Sequence, residues 1–297
     1  MRTEPVVESF PGACTYWDYT PSSPSLETRL RRWVSMWQRE PASLWQALKP
    51  PFSQPRWFLY FLYLPDGRLT PAHRFTLERL TREGVSLMLV CACPTGHPVL
   101  KELESHCQAL YWKEVSGWDF CAYAVGLAAL AQQSPGCDVL VMNDSVYGPF
   151  VPLRPFLNEA PWRLTGFTGN NQGENHIQSY AFIVRQLDVG LMQHLADIFD
   201  TRHRYRQQQA VVICQENRMA SKAAEECSVG AYWFTTSTEA SDLCLGWPQQ
   251  LLAAGFPFMK RSLLGKFADV FTPAEDMRAL LHSLGHPVED ERPRAPA

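Results

Sequence analysis

Three short apolar runs alternate with segments that have the features of helices. The runs are RWFLYFLYL at 56–64, VSLMLVCAC at 85–93 and VLVM at 139–142. A short apolar run bounded by turn residues is typical of a strand buried on both faces of a parallel sheet. Strands and helices in strict alternation predict an α/β fold whose parallel strands are joined by right-handed crossovers.

The segments between these runs support the same fold. TPAHRFTLERLTREG at 70–84 begins with a capping threonine before a proline and ends on a glycine, so it predicts a helix. Further helices are predicted at about 98–109 and within CAYAVGLAALAQQ at 121–133, with a strand near ALYWKEV between them. The absence of a G-x-G-x-x-G loop argues against a dinucleotide-binding fold of the usual kind.

Length and composition indicate one main domain with additions at its ends. The chain has 297 residues, of which 46% are hydrophobic, enough for a sizeable core. We predict an N-terminal helical arm with a proline-rich connector at 1–55, a main domain at 56–285 and a disordered tail at 286–297.

Charge and cysteine content restrict partners and compartment. The net charge of −3 offers no global attraction to a polyphosphate, so nucleic acid is not expected as a partner. The nine cysteines form no C-x-x-C pair, which favours reduced thiols and a cytoplasmic protein. No signal peptide and no run of about 18 apolar residues occurs, so neither export nor a membrane span is expected.

The segment SLETRLRRWVSMWQRE, which begins at Ser25, predicts an amphipathic helix. Its apolar residues recur at helical spacing and cationic residues flank them. Two interpretations are open. The apolar stripe packs on the main domain, or it lies on an anionic bilayer surface or a partner. The stripe consists of Leu30, Trp33, Val34 and Trp37, and the arginines are Arg29, Arg31, Arg32 and Arg39.

Two polar clusters fall where an open α/β sheet binds ligands, at the carboxyl ends of its strands. Asn143, Asp144 and Ser145 directly follow the buried run at 139–142, where a carboxylate is well placed to hold a divalent cation or a sugar hydroxyl. Gly117 and Asp119 precede a predicted helix, and Asp119 is interpreted either as a helix cap or as a site residue.

A polar loop at 169–175 separates two strand-like segments. His176 and Gln178 follow it, and in an extended segment they share one face, from which they can hydrogen-bond a sugar or phosphate. The loop is either a solvent-exposed turn or a substrate loop.

Five stretches, taken in order, carry a resemblance to a known family. From about residue 57 to residue 274 the chain resembles the rhamnan synthesis protein F family, glycosyltransferase-like proteins of bacterial surface polysaccharide assembly. Lys113, Val115 and Cys121 depart from the usual family residues, and the arm at 25–50 lies outside the resemblance. The matching stretches are YLPDGRL, KEVSGWDFCAYAVGL, VLVMNDSVYGPFVPL, LTGFTGNNQGENHIQSYAFIVR and LLAAGFPFMKRSLL.

The resemblance implies a GT-A-like fold with a mostly parallel sheet that holds a nucleoside diphosphate at its carboxyl edge. Enzymes of this kind commonly carry two acids there that bind Mg²⁺ or Mn²⁺, whereas this chain has Asp144 alone. Either Asp144 holds the metal with another ligand, or Lys260 and Arg261 replace it. The donor-binding residues implied are Asp66, Gly117, Asp119, Asn143, Ser145, Gln178, Lys260 and Arg261.

The expected reaction is transfer of L-rhamnose or a related hexose from a nucleotide sugar to a growing polysaccharide such as a capsule, O-antigen or rhamnan. Asp144, His176 and Glu174 are the catalytic candidates, and an inverting enzyme would take its general base from Glu174, His176 or Asp119. The acceptor would be a glycan or lipid-linked glycan, with peripheral contact at the inner face of the cytoplasmic membrane. The alternative is a catalytically inactive nucleotide-binding, glycan-binding or scaffold subunit.

Overall fold

The computed structural model of the chain describes residues 13–236 and 242–287. Most of the predicted disordered tail, from residue 288 onward, lies outside the described residues. His286, placed in that tail by the sequence, is instead buried against the rings of Phe75, Tyr147 and Phe150. The main domain therefore extends at least to His286.

The strands are numbered in chain order. They are β1 (Ala13–Asp18), β2 (Arg39–Pro41), β3 (Trp45–Lys49), β4 (Arg56–Tyr63), β5 (Ser86–Ala92), β6 (Ala109–Lys113), β7 (Cys137–Asn143), β8 (Val146–Tyr147), β9 (Leu164–Asn170), β10 (His176–Ile177), β11 (Ala181–Leu187), β12 (His203–Tyr205), β13 (Val229–Thr235) and β14 (Met259–Lys260).

The helices connect these strands. They are α1 (Leu26–Met36), α2 (Pro71–Arg82), α3 (Val99–Glu104), α4 (Asp119–Gln133), α5 (Arg154–Glu159), α6 (Val189–His194), α7 (Gln208–Val211), α8 (Asn217–Ala223), α9 (Leu243–Gly246), α10 (Pro248–Ala253) and α11 (Ala274–Ser283), with a π-helical turn at Val212–Glu216 and a 3₁₀ turn at Arg261–Leu263.

One large sheet organises the described residues. Its order is β1-β13-β9-β11-β7-β4-β5-β6-β3, and β10 pairs with β9 at the side. β4, β5, β6 and β7 are parallel neighbours, and β9 and β13 run in the same direction, whereas β11 is antiparallel to both its neighbours. The predicted α/β class with a mostly parallel sheet is confirmed.

The central strands are covered on both faces, as their apolar runs predicted. Side chains of β4 alternate between two cores: Trp57 and Leu59 lie in the core that contains α4, and Phe58 and Tyr60 lie in the core on the opposite face. This alternation follows from the two-residue repeat of a strand. Burial on both faces fixes the strand register, and with it the positions of the polar residues at the strand ends.

The capping signals of the first crossover helix are confirmed. Thr70 accepts a hydrogen bond from the backbone N–H of His73, Pro71 occupies the first turn, and Gly84 follows the helix with a positive φ of 66°. The helix predicted at 98–109 is shorter, ending at Glu104, because Cys107–Gln108 turns the chain directly into β6.

The N-terminal segment contains strands as well as the predicted helix. β1 pairs with β13 at one edge of the large sheet, and β3 pairs with β6 at the other edge. α1 begins after the capping residue Ser25, whose Oγ accepts a hydrogen bond from the N–H of Thr28. The segment therefore completes both edges of the sheet, in addition to forming the predicted helix.

Candidate functional site

Asp144 lies at the carboxyl end of β7 and is held by two neighbours. Its Oδ2 accepts a hydrogen bond from the backbone N–H of Tyr63 at 3.1 Å and lies 3.2 Å from Nε2 of His73. Its own N–H donates to the carbonyl of Phe61. The carboxylate is buried and oriented from the neighbouring strand β4 and from the first turn of α2.

The tautomer of His73 follows from its contacts. Nδ1 accepts a hydrogen bond from the backbone N–H of Thr70, so this nitrogen carries no proton. Nε2 then carries the proton of the neutral ring and donates it toward Asp144. His73 therefore links the start of α2 to the end of β7.

Two cations reach the same edge from a distant part of the sequence. β14 pairs with β8, which places Lys260 opposite Val146, and the N–H of Arg261 donates to the carbonyl of Ser145. Arg261 Nη1 lies 3.3 Å from the carbonyl oxygen of Asp144 and 3.1 Å from Nε2 of His73. Lys260 Nζ lies 4.1 Å above the ring of Tyr180. We call Asp144, His73, Lys260 and Arg261 the cationic corner.

The donor set around Asp144 does not fit a protein-held divalent metal. Asp144 is the one carboxylate of the corner, one of its oxygens already faces two hydrogen-bond donors, and a guanidinium lies against its backbone carbonyl. In residues 13–236 and 242–287, no group of three His, Cys, Asp or Glu side chains has a geometry that could hold an ion. Arg261 and Lys260 provide positive charge at this edge instead.

A second carboxyl, Asp119, occupies a different electrostatic environment. Its Oδ1 accepts from the N–H of Phe120, and its Oδ2 accepts from the side-chain amide of Asn143 at 3.0 Å. Asn143 Oδ1 in turn accepts from the backbone and hydroxyl of Ser145. Burial and the nearby negative charge of Glu216 raise the pKa of Asp119 to about 7.

Glu216 belongs to the π-helical turn and lies close enough to Asp119 for its charge to raise the pKa of that carboxyl. Its Oε2 accepts hydrogen bonds from the hydroxyl and the N–H of Ser179. Its other oxygen makes no hydrogen bond to any residue that the structure describes. π-helical turns are uncommon and are often found at functional sites. We call Asp119 and Glu216 the acidic pocket.

The loop before Asp119 is held by a buried lysine. The ammonium of Lys113 donates to the carbonyls of Glu114 and Ser116, and its burial lowers its pKa to about 8. Ser43 of the N-terminal segment also donates to the carbonyl of Ser116. Gly117 has φ +79°, and a Cβ there would lie 2.8 Å from the Ser43 hydroxyl, so the close approach requires glycine.

The hairpin of β9 and β10 brings His176 into the interior. His176 is buried, and its Nδ1 donates to the carbonyl of Glu174 at 2.9 Å. Burial lowers its pKa, which favours the neutral form of the ring. Glu174, a predicted catalytic residue, is ion-paired with Arg32 of α1 and buried. The ion pair links the β9–β10 hairpin to α1, and the catalytic role of Glu174 stays a prediction.

The side-chain amide of Gln178 makes hydrogen bonds within the protein through both its nitrogen and its oxygen. Its Nε2 donates to Asp242 at 2.7 Å, and its Oε1 accepts from the hydroxyl of Thr168 at 2.5 Å. Thr168 also contacts the hydroxyl of Tyr180. This fully bonded network orders the strand ends beside the two sites.

Comparison with known protein families identifies the family of this chain. Residues 87–279 match the family described as rhamnan synthesis protein F, and this match spans most of the main domain. The chain belongs to the rhamnan synthesis protein F family. No curated protein sequence is significantly similar to it.

Several solved structures share a distant likeness with this family member. The inositol-1-phosphate CTP transferase from T. maritima is 10% identical with a TM-score of 0.40, and the match covers 64% of this chain and 93% of that one. A putative nucleotide-diphospho-sugar transferase from Desulfovibrio desulfuricans G20 is 13% identical with a TM-score of 0.38, covering 77% and 96%. S. aureus TarS 1-349 in complex with UDP is 12% identical with a TM-score of 0.34, covering 63% and 62%. These likenesses are too distant to assign an activity.

The structure brings most of the predicted site residues of this family member to one edge of the sheet. Asp119, Asn143, Ser145 and the two cations Lys260 and Arg261 surround the end of β7, next to Asp144. Asp66 follows β4 in an exposed turn, where its Oδ1 accepts from the N–H of Arg68. The assignment of donor-binding and catalytic roles to these residues stays a prediction.

Three site residues are missing from the sequence-based set. His73 lies at the third position of α2, where its Nδ1 completes the capping box with Thr70. The neighbouring sequence gives no sign that its Nε2 faces Asp144. Asp242 caps α9 and binds Gln178. Glu216 stands in the apolar stretch AVVICQENRMA, where a lone acid was the available signal.

Among the described helices, none is long and apolar enough to cross a membrane.

Proposed function

We propose that this protein is a glycosyltransferase that moves L-rhamnose or a related hexose from a nucleotide sugar to a growing bacterial surface polysaccharide. One observation carries the proposal. The Asn143-Asp144-Ser145 block ends a central parallel strand beside Lys260 and Arg261, in a chain of a polysaccharide-synthesis family. Open α/β sheets bind ligands at this edge, and paired cations there suit a diphosphate.

The cationic corner takes the donor diphosphate in this proposal. As the bond between the sugar C1 and the diphosphate oxygen breaks, negative charge grows on that oxygen. Lys260 and the Arg261 guanidinium stabilise this charge, and charge stabilisation of this kind is commonly the largest catalytic term. Asp144 acts as a positioning residue, because its backbone carbonyl accepts a hydrogen bond from the Arg261 guanidinium, and His73 in turn holds the Asp144 carboxylate.

The acidic pocket takes the acceptor. Glu216 has one oxygen anchored by Ser179 and the other without a hydrogen bond among the described residues, which is the arrangement that a general base needs. It accepts the proton of the acceptor hydroxyl while the acceptor oxygen bonds to C1. The products are the glycoside, the nucleoside diphosphate and protonated Glu216, which then releases its proton to solvent.

Both oxygens of Asp119 are already engaged by Phe120 and Asn143. Asp119 therefore serves to hold Asn143, which in turn binds Ser145. These two residues lie between the two sites. The finer elements of the proposal, namely rhamnose as the sugar and a lipid-linked glycan at the inner face of the cytoplasmic membrane as the acceptor, are supported by family membership alone.

The test is a panel of UDP-, dTDP- and GDP-sugars incubated with the purified protein, with release of nucleoside diphosphate as the readout. We expect slow hydrolysis of one donor, retained in the presence of EDTA because the described donor set does not fit a metal. Binding of a nucleoside diphosphate without turnover of any donor would overturn the transferase proposal in favour of an inactive binding subunit. Absence of any nucleotide-dependent thermal shift would favour a scaffold.

A further inference from the structure

Helix α1 is oriented opposite to an ordinary surface helix. Its polar residues Thr28, Arg32 and Ser35 are the less exposed ones, and its apolar stripe faces solvent. Trp33 is 61% exposed and Trp37 is 77% exposed. The fold therefore leaves unused the face that amphipathic helices normally bury.

Polar contacts of Arg32 attach the helix to the domain. Arg32 Nε donates to the carbonyl of Ile213 at 2.6 Å, and its guanidinium is ion-paired with the buried carboxylate of Glu174. No residue of α1 is buried. Because the four side chains of the apolar stripe are 49–77% exposed, packing within the described chain does not explain why the stripe is apolar.

Exposed apolar residues are concentrated in this segment of the chain. Among the large hydrophobic side chains that the described residues expose, ten of fourteen lie between positions 26 and 52. Scattered single exposures need no explanation, but six of the ten lie within residues 26–37, on α1 and directly after it, and a concentration of this kind on one helix marks an interaction surface. The ten are Leu26, Leu30, Trp33, Val34, Met36, Trp37, Leu44, Trp45, Leu48 and Phe52.

The charge of the segment differs from that of the whole protein. Residues 26–52 contain five basic and two acidic side chains, whereas the chain as a whole has a net charge of −3. Arg29 and Arg31 are exposed beside the stripe, and Glu27 on the same helix is paired with Arg31. A locally cationic, tryptophan-bearing ridge on an acidic protein complements an anionic surface.

We propose that the exposed face of α1 binds the surface of an anionic lipid bilayer. Tryptophan and leucine side chains on a helix with cationic flanks insert into the boundary between headgroups and acyl chains, while the arginines meet the lipid phosphates. A helix with no buried residue stands out from the domain as a ridge, and a bilayer can deform around a ridge without a complementary groove. The site is distinct from both parts of the proposed transferase site.

This placement connects the bilayer contact to the interior of the protein. Arg32, on the inward face of α1, holds Glu174, which precedes His176 in the β9–β10 hairpin. Ile213, the other partner of Arg32, belongs to the π-helical turn that ends at Glu216. A bilayer bound to the exposed face of α1 is therefore separated by one helix from the hairpin that carries Glu174 and from the turn that carries Glu216.

The test is co-flotation of the full chain with vesicles, which needs no substrate and does not depend on the proposed transfer reaction. We expect the protein to float with vesicles of phosphatidylglycerol and phosphatidylcholine at low salt, and to remain at the bottom with pure phosphatidylcholine. High salt should reduce flotation, because exposed charge attraction is screened. Arg29→Gln should weaken binding about fivefold, the equivalent of the ~1 kcal/mol typical of one cation near such a surface.

The decisive variant replaces both Trp33 and Trp37 by serine, with Phe271→Ser as the matched control. Phe271 is also an exposed aromatic residue but lies outside the segment. The double variant should lose flotation, and the control should keep it, with circular dichroism and melting temperature unchanged in both. The proposal is overturned if the wild type stays at the bottom with anionic vesicles at low salt, or if the double variant floats as well as the wild type.

A second copy of the chain is the competing occupant of this surface. If the wild type is a dimer in size-exclusion chromatography, the double variant a monomer, and neither floats, the surface is a self-association interface and the lipid proposal is wrong.

Discussion

The cationic corner and the acidic pocket lie at the same edge of one sheet, yet their carboxyls have opposite surroundings. Asp144 faces two hydrogen-bond donors and lies beside a guanidinium. Asp119 is buried next to the negative charge of Glu216, and these two effects raise its pKa to about 7. Two aspartates that look alike in a sequence thus take on different chemistry, because the charges that surround them come from other elements.

This difference suggests a division of labour between the two sides of the site. The cationic side suits a diphosphate whose negative charge increases during reaction, and the acidic side suits a hydroxyl that must lose a proton. Asn143 connects the two sides of the site. It directly precedes Asp144 in the chain, and its side-chain amide donates a hydrogen bond to Asp119.

The largest expected effect is loss of the base. Glu216→Gln keeps an oxygen that can accept from Ser179 but removes the carboxylate, and we expect transfer to fall by roughly 10²–10⁴-fold. Glu104→Gln, the same change at the exposed end of α3, is the control and should be near wild type. Steady-state transfer rates measure both. Normal activity in a folded Glu216→Gln protein would remove the acidic pocket from the mechanism.

The next effect concerns the cationic corner. Asp144→Asn retains an acceptor for the Tyr63 N–H, so the fold should persist, and transfer should fall by about 10²-fold because the negative charge beside Arg261 is lost. If Asp144 acts through Arg261, adding Asp144→Asn to Arg261→Met should cost little more, a non-additivity that a double-mutant cycle measures. If instead Asp144 holds a metal, EDTA should reduce the wild-type rate to that of Asp144→Asn.

A third, smaller effect tests whether Gln178 stabilises the fold or contacts the substrate. Gln178→Ala leaves Thr168 and Asp242 without their buried partner, so unfolding should require about 1–3 kcal/mol less free energy. Urea denaturation measures this loss. The remaining folded protein should keep its transfer rate within a few-fold. A large fall in rate with unchanged stability would instead place Gln178 in contact with substrate.

The smallest expected effect is a pH dependence of stability that belongs to the acidic pocket. Burial and the charge of Glu216 raise the pKa of Asp119 from the ordinary aspartate value of 3.8 to about 7 in the fold, so between these pH values the native state holds a proton that the unfolded chain releases. Its stabilising contribution is complete below about pH 4 and is lost as the pH rises toward 7. The melting temperature of the wild type relative to Asp119→Asn should therefore fall between pH 5 and pH 8.

Asp276→Asn, at an exposed position on α11, serves as the control for that titration. Its melting temperature should follow the wild type across the whole pH range. If the difference between the wild type and Asp119→Asn stays constant with pH, Asp119 titrates normally and the contrast between the two sides of the site is lost.

Local sequence patterns determined much of the fold. The apolar runs identified β4, β5 and β7 because a strand buried on both faces must be apolar throughout, and Thr70, Pro71 and Gly84 bounded α2 because caps act within a few residues. The family motifs added Lys260 and Arg261 to the site. The N-terminal edge strands were missed because β3 has largely exposed side chains and no apolar run.

Only the tertiary structure decided what surrounds each group. His73 meets Asp144 across 71 positions of sequence, and Arg32 meets Glu174 across 142. The helix pattern of α1 revealed an apolar stripe but not its direction, since amphipathicity defines two faces without saying which one the domain covers. The sequence by itself determined the elements and the residue types at their ends, because both depend on short-range spacing. Pairing of charges, burial of carboxyls and orientation of helices depend on contacts between distant segments, so the fold alone settled them.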